Sequence, residues 1–147
     1  MRNVFFSFDW DDVWRSIPVR NSWVIKGNKA SGFKDSAEIE EAKKSRSGIK
    51  NWIDNQLYNT SVTCVLIGSQ TYKSPWVRYE IKQSISKGNG LLGVYIHLIA
   101  DMHGSISPPG LNPLPNSPLY KTYDWFANDG YENLGDWIEE AAEQVGR

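Results

Sequence analysis

The chain has a single cysteine, Cys64, among 147 residues. No internal disulfide can form, and Cys64 lies in the most apolar run, so it reads as an inert buried thiol. Positive charge is not in excess: 16 Lys and Arg stand against 17 Asp and Glu, for a net charge of −1. That balance lacks the cationic surplus that neutralises phosphates, so nucleic acid is not an expected partner. No stretch approaches ~18 consecutive apolar residues, which argues against a membrane span. The opening MRNVFFSFDW has too short an apolar run and no cleavage pattern for a secretory signal, and a cytoplasmic protein is expected. A Gly-x-Gly-x-x-Gly fingerprint is absent, so a tightly held dinucleotide cofactor is not expected. His97 and His103 have no third His or partner Cys at ligand spacing, so no metal site is expected either.

Aromatic residues, by contrast, are abundant: seven Trp, seven Tyr and five Phe. Such side chains carry large buried area and often line ligand sites. The length suits one domain across residues 1–147, able to bury roughly 70% of the surface its unfolded chain exposes.

The order of elements points to an α/β fold. Asn3–Phe8 is a compact β-branched and aromatic run that reads as a first, central strand. It ends in the acidic Asp9-Trp10-Asp11-Asp12, a solvated loop on this reading. Val13–Lys26 reads as helical over its second half, with Pro18 in the first turn and Val19 and Trp23 on one face. KGNKASGFK, residues 26–34, reads as a connector or a mobile lid. Asp35 or Ser36 then caps a short charged helix carrying Glu38, Glu40 and Glu41. Gly48–Leu57 is amphipathic through Ile49, Trp52, Ile53 and Leu57. Ser61–Ile67 has the continuous apolar character of a strand covered on both faces.

Gly68 closes that strand. Ser74 can cap a helix with Pro75 at its first position. This helix, from about Trp76 to Lys87, carries two stripes: Trp76, Glu80 and Ser84, and beside it an expected core face of Val77, Ile81 and Ile85. Leu91–Ile96 is another buried strand. His97–Pro118, with Pro108, Pro109, Pro113, Pro115 and Pro118, reads as an irregular surface excursion. A short edge strand within Leu119–Phe126 and a closing helix through Leu134, Trp137, Ile138, Ala141 and Val145 complete the chain.

Glu80 is the residue with the clearest chemical opportunity. A carboxylate beside Trp76, just past a buried strand, could stabilise the positive charge that builds on a ribose as an N-glycosidic bond breaks. From spacing alone, a helix glutamate is far more often a surface ion-pair residue, here with Arg78 or Lys82 nearby.

The run SVTCVLIGSQTYKSPWVRYEI resembles the third strand and following helix of Toll/interleukin-receptor (TIR) domains, with Trp76-Val77-Arg78-Tyr79-Glu80 as their Trp-x-x-x-Glu. VFFSFDWDD resembles the first TIR strand and its loop. Together, VFFSF, VRNSWV, TSVTCVLIGSQT, WVRYEI and KGNGLLGVYIH resemble the TIR-like proteins of the bacterial Thoeris anti-phage system over most of residues 3–97. YDWFANDGY at 123–131 is a weaker echo.

The resemblance implies a flavodoxin-like, three-layer sandwich: a central, mostly parallel sheet of about five strands flanked by helices. It implies NAD as a substrate and Glu80 as the catalytic residue. Ser7, Phe8 and Asp9 would line the pocket, and Arg20, Asn21, Ser69 and Trp76 would contact substrate. The product would be a cyclic ADP-ribose-type signal that activates a separate effector, with a phage-derived trigger and self-association as further expectations. The segment 104–118 is shorter than the insertions of relatives, and the second TIR strand has no clear counterpart in the sequence. Two alternatives are a non-enzymatic interaction module and a nucleoside deoxyribosyltransferase-like enzyme of related fold.

Overall fold

The computed structural model describes residues 2–33 and 44–147. Five strands form one sheet in the order β2-β1-β3-β4-β5. They are β1 (Asn3–Ser7), β2 (Lys29–Ser31), β3 (Val62–Ile67), β4 (Gly90–Tyr95) and β5 (Thr122–Asp124). Every pairing is parallel. Among the described residues four helices cover the sheet: α1 (Val13–Val24), α2 (Arg46–Leu57), α3 (Pro75–Lys87) and α4 (Gly130–Gln144). The expected α/β flavodoxin-like, TIR-like architecture is present. No described helix is long and apolar enough to cross a membrane.

The strand alternation of side chains divides the core in two. Val4, Phe6, Cys64, Leu66, Leu92 and Val94 pack against Val19 and Trp23 of α1 and against Leu134, Trp137 and Ile138 of α4. On the opposite face Phe5 meets Ile53 and Leu57 of α2. Val65, Ile67 and Leu91 meet Val77 and Ile81 of α3. Two fully buried positions of this second face are polar, Ser7 and Thr63.

Helix α3 has the ends its sequence calls for. Ser74 Oγ accepts a bond from the Val77 N–H, Pro75 is at the first turn, and Gly88 takes the left-handed conformation that stops the helix. Segment 97–121 contains no helix or strand.

Four expectations need correction or delimiting. Helix α1 starts at Val13, so Pro18 lies in its interior. Both Pro18 and Trp14, whose carbonyl loses its partner, are exposed, and water can replace the missing bond. The segment expected to be a connector or lid contains β2, paired with β1 from Asn3↔Lys29 to Phe5↔Ser31. An edge strand of three residues is too short to show a period. Ile85 is 38% exposed; the buried face of α3 is Val77, Glu80, Ile81 and Ser84. The expected charged helix at Asp35–Lys44 falls almost wholly outside the described residues.

Candidate active site

The chain leaves β1 toward β2 on one side and returns to β3 on the other. In open parallel sheets, ligands sit beyond the strand ends at such a reversal. A cavity of about 120 Å³ lies there, lined by Phe6, Phe8, Asp9, Trp10, Gly32, Ile53, Ser74, Trp76 and Glu80. A larger open depression of about 420 Å³ lies near Arg2, Asn3, Ser61 and Glu139, at the opposite strand ends. The Arg2–Glu139 ion pair already occupies its charged groups, at 2.7 Å.

Glu80 is only 8% exposed. Ser7 Oγ donates a 2.6 Å hydrogen bond to its Oε1. One turn further along α3, Ser84 Oγ donates to the Glu80 carbonyl at 2.7 Å and lies 2.6 Å from Thr63 Oγ1. The two polar positions of the sheet face therefore stand under the two polar positions of the helix face. Each hydroxyl needs a partner to be buried, and each finds one. Arg78 does not serve as a surface counter-ion: its Nε and Nη2 both donate to the Tyr72 carbonyl, at 3.1 and 2.9 Å.

Aromatic rings form the walls. Phe8 stacks on Trp10 with centroids 5.7 Å apart and packs on Phe33 at 4.7 Å. Trp76, one turn before Glu80, meets Tyr79 edge-on at 6.2 Å. Two guanidinium groups lie against this aromatic shell. Arg46 is 5.4 Å over the Trp76 ring, and Arg20 is 5.4 Å over Phe33. The Arg20 Nε is buried with no hydrogen-bond partner. Asp9 begins the 3-10 turn Trp10–Asp12, its Oδ1 accepting from the Asp11 N–H. Burial pushes the Asp9 carboxyl above the usual carboxylate range.

The sequence candidates therefore separate. Glu80, Phe8, Asp9 and Trp76 line one cavity, and Ser7 touches it through Glu80. Arg20 stands one ring behind the wall, on Phe33. Asn21 is exposed, and its Oδ1 accepts from Arg20 Nη1 at 3.4 Å. Ser69 lies under the Pro-rich segment: a Cβ built on Gly110 would fall 2.8 Å from the Ser69 carbonyl oxygen. Neither Asn21 nor Ser69 lines the cavity.

Asp12 corrects the picture of a solvated acidic loop. It is 6% exposed and its Oδ1 pairs with Arg15 Nη1 at 3.2 Å. Arg15 also donates to the carbonyls of Ile99 and Ser105, both at 2.9 Å, tying the Pro-rich segment to the start of α1. The three-residue spacing of Asp12 and Arg15 was visible in the sequence, but their burial was not. Trp10, Ile53, Ser74 and Arg46 were also missed, since each reaches the site from a different element.

A parallel sheet in flavodoxin-like order, with a buried glutamate on the helix after β3 facing a cleft at the switch point, defines a TIR-like domain. The family model described as "Thoeris protein ThsB, TIR-like domain" matches residues 5–101, and the chain belongs to that family. A protein of Bacillus cereus (strain MSX-D12) named "Putative cyclic ADP-D-ribose synthase ThsB1" is 35% identical over an alignment 189 positions long, which takes in 93% of this chain and 98% of that protein.

Proposed function

We propose that this protein is an NAD-consuming enzyme of anti-phage defence. It breaks the bond between nicotinamide and ribose and makes a cyclic ADP-ribose-type signal for a separate effector. NAD is a substrate here, bound for turnover and released as product.

Glu80 carries the reading. It is a carboxylate 8% exposed in an aromatic-walled cavity, held at 2.6 Å by a buried hydroxyl. As the glycosidic bond lengthens, the electron pair leaves with nicotinamide and positive charge spreads over the ribose C1 and ring oxygen. A fixed anion in a site of low polarity favours that state and needs no reorganisation to do so. A nucleophilic nitrogen of the same ADP-ribose then closes the ring at C1, or water captures it. The cavity volume of about 120 Å³ suits one ring or sugar of the substrate and is smaller than typical sites for whole cofactors. The remainder of NAD lies across the mouth, where Trp76 offers a stacking surface and Arg46 offers positive charge, while Arg20 acts from behind the wall through Phe33. Asn21 and Ser69 are assigned no contact with substrate. A phage-derived trigger and self-association complete the proposed pathway.

The test is nicotinamide release from NAD, followed by chromatography, with and without extract from phage-infected cells. Glu80→Gln keeps the shape and removes the charge, and it is expected to lower turnover by at least about 100-fold. Equal turnover by the variant would refute the assignment. Release of free base from deoxynucleosides, with NAD untouched, would move the protein to the deoxyribosyltransferase class.

A further inference from the structure

We propose that Ser7 is a positioning residue for Glu80 and makes no contact with substrate. This inference rests on the assignment of Glu80 above. Ser7 has no exposed surface, so a ligand in the cavity cannot reach its hydroxyl. An ionised carboxylate only accepts hydrogen bonds, so Ser7 Oγ–H is the donor across the 2.6 Å contact with Glu80 Oε1.

The surroundings explain why a hydroxyl stands there. Ser7 lies opposite Val65 in the sheet, and the adjoining residues of that face, Phe5, Val65 and Ile67, are apolar and fully buried. A hydroxyl in such a face is costly unless it is bonded, and Glu80 is the bonded partner. Glu80 in turn lines the cavity while one of its oxygens is held from the sheet side. The helix backbone beneath it is held as well, since Ser84 Oγ donates to the Glu80 carbonyl and contacts Thr63. Ser7 therefore helps to orient the carboxylate from the sheet side without meeting the reacting atoms, and that orientation decides how closely the charge approaches the ribosyl cation.

Kinetics of Ser7→Ala and Ser7→Thr, each alone and with Glu80→Gln, test this together with crystal structures of the wild type and Ser7→Ala. Ser7→Ala is expected to lower kcat by about 10- to 100-fold with KM changed by less than about twofold. Ser7→Thr, which keeps the hydroxyl, should recover most of that loss. Ser7→Ala should cost nothing further once Glu80 is glutamine. In the Ser7→Ala crystal the Glu80 carboxylate should leave its wild-type position. A normal kcat, a raised KM at constant kcat, or an unmoved carboxylate would each overturn the proposal. A wild-type protein that releases no nicotinamide would refute the function itself, and the two crystal structures would still decide the role of Ser7.

Discussion

Asp12 occupies the space that a side chain on residue 68 would need. A Cβ built on Gly68 would fall 2.0 Å from Asp12 Oδ2. A side chain at residue 68, just past β3, would have to displace that buried carboxylate, so glycine lets the strand tip pass close under it. Arg15 neutralises that carboxylate and holds the segment after β4 by two carbonyls. The Asp12 end of the acidic loop is a buried, ion-paired joint between the ends of β1, β3 and β4, with Arg15 Nη2 also 3.7 Å from Asp101 Oδ2.

Arg15→Met leaves the Asp12 carboxylate buried without its cation. The expected loss of stability is about 3–5 kcal/mol, read from urea unfolding. The double variant Asp12→Leu/Arg15→Met, with no stranded charge, should lose less than Arg15→Met alone. Faster amide exchange over residues 97–107 in the single variant would show that Arg15 holds that segment.

The Asp9 carboxyl is pushed up first by burial; the bond from the Asp11 N–H opposes this, and the Asp11 charge adds to it. The folded protein therefore binds this proton more tightly than the unfolded chain does. Stability from this group is highest below the ordinary carboxylate value and falls as pH rises toward the raised one. Asp9→Asn keeps a side-chain oxygen for the cap and removes the charge. The variant should be more stable than wild type at pH 7, and the difference should close below about pH 3. Urea midpoints at the two pH values make the measurement.

Trp76→Ala removes one wall of the cavity and the ring beneath Arg46. KM for NAD should rise about tenfold, the scale on which stacking on an aromatic side chain contributes, with a smaller change in kcat. Trp76→Phe should recover part of the affinity. Steady-state kinetics of nicotinamide release separate the two constants, and an unchanged KM in Trp76→Ala would remove the stacking role.

Long elements were legible because burial repeats along them. The apolar run of β3, the cap at Ser74, the stop at Gly88 and the face of α4 all declare themselves over several residues. β2 did not, because an edge strand of three residues has no period to detect. Ile85 continues the hydrophobic stripe of α3, yet it is 38% exposed, because the buried face of the helix is rotated away from that stripe. The helix instead turns Glu80 and Ser84 inward, where Ser7 and Thr63 wait on the sheet.

The sequence by itself determined the fold class and drew attention to Glu80. Both depend on local order: alternating strands and helices, and a Trp-x-x-x-Glu at a helix start. Only the tertiary structure decided which groups meet Glu80. Ser7 lies 73 residues away in sequence, and the parallel packing of β1 against β3 under α3 brings it to 2.6 Å. The same packing turned Asp12 from a solvated acid into half of a buried ion pair. Contacts of that range are set by how sheet and helix faces register, and no local pattern of residue types carries that register.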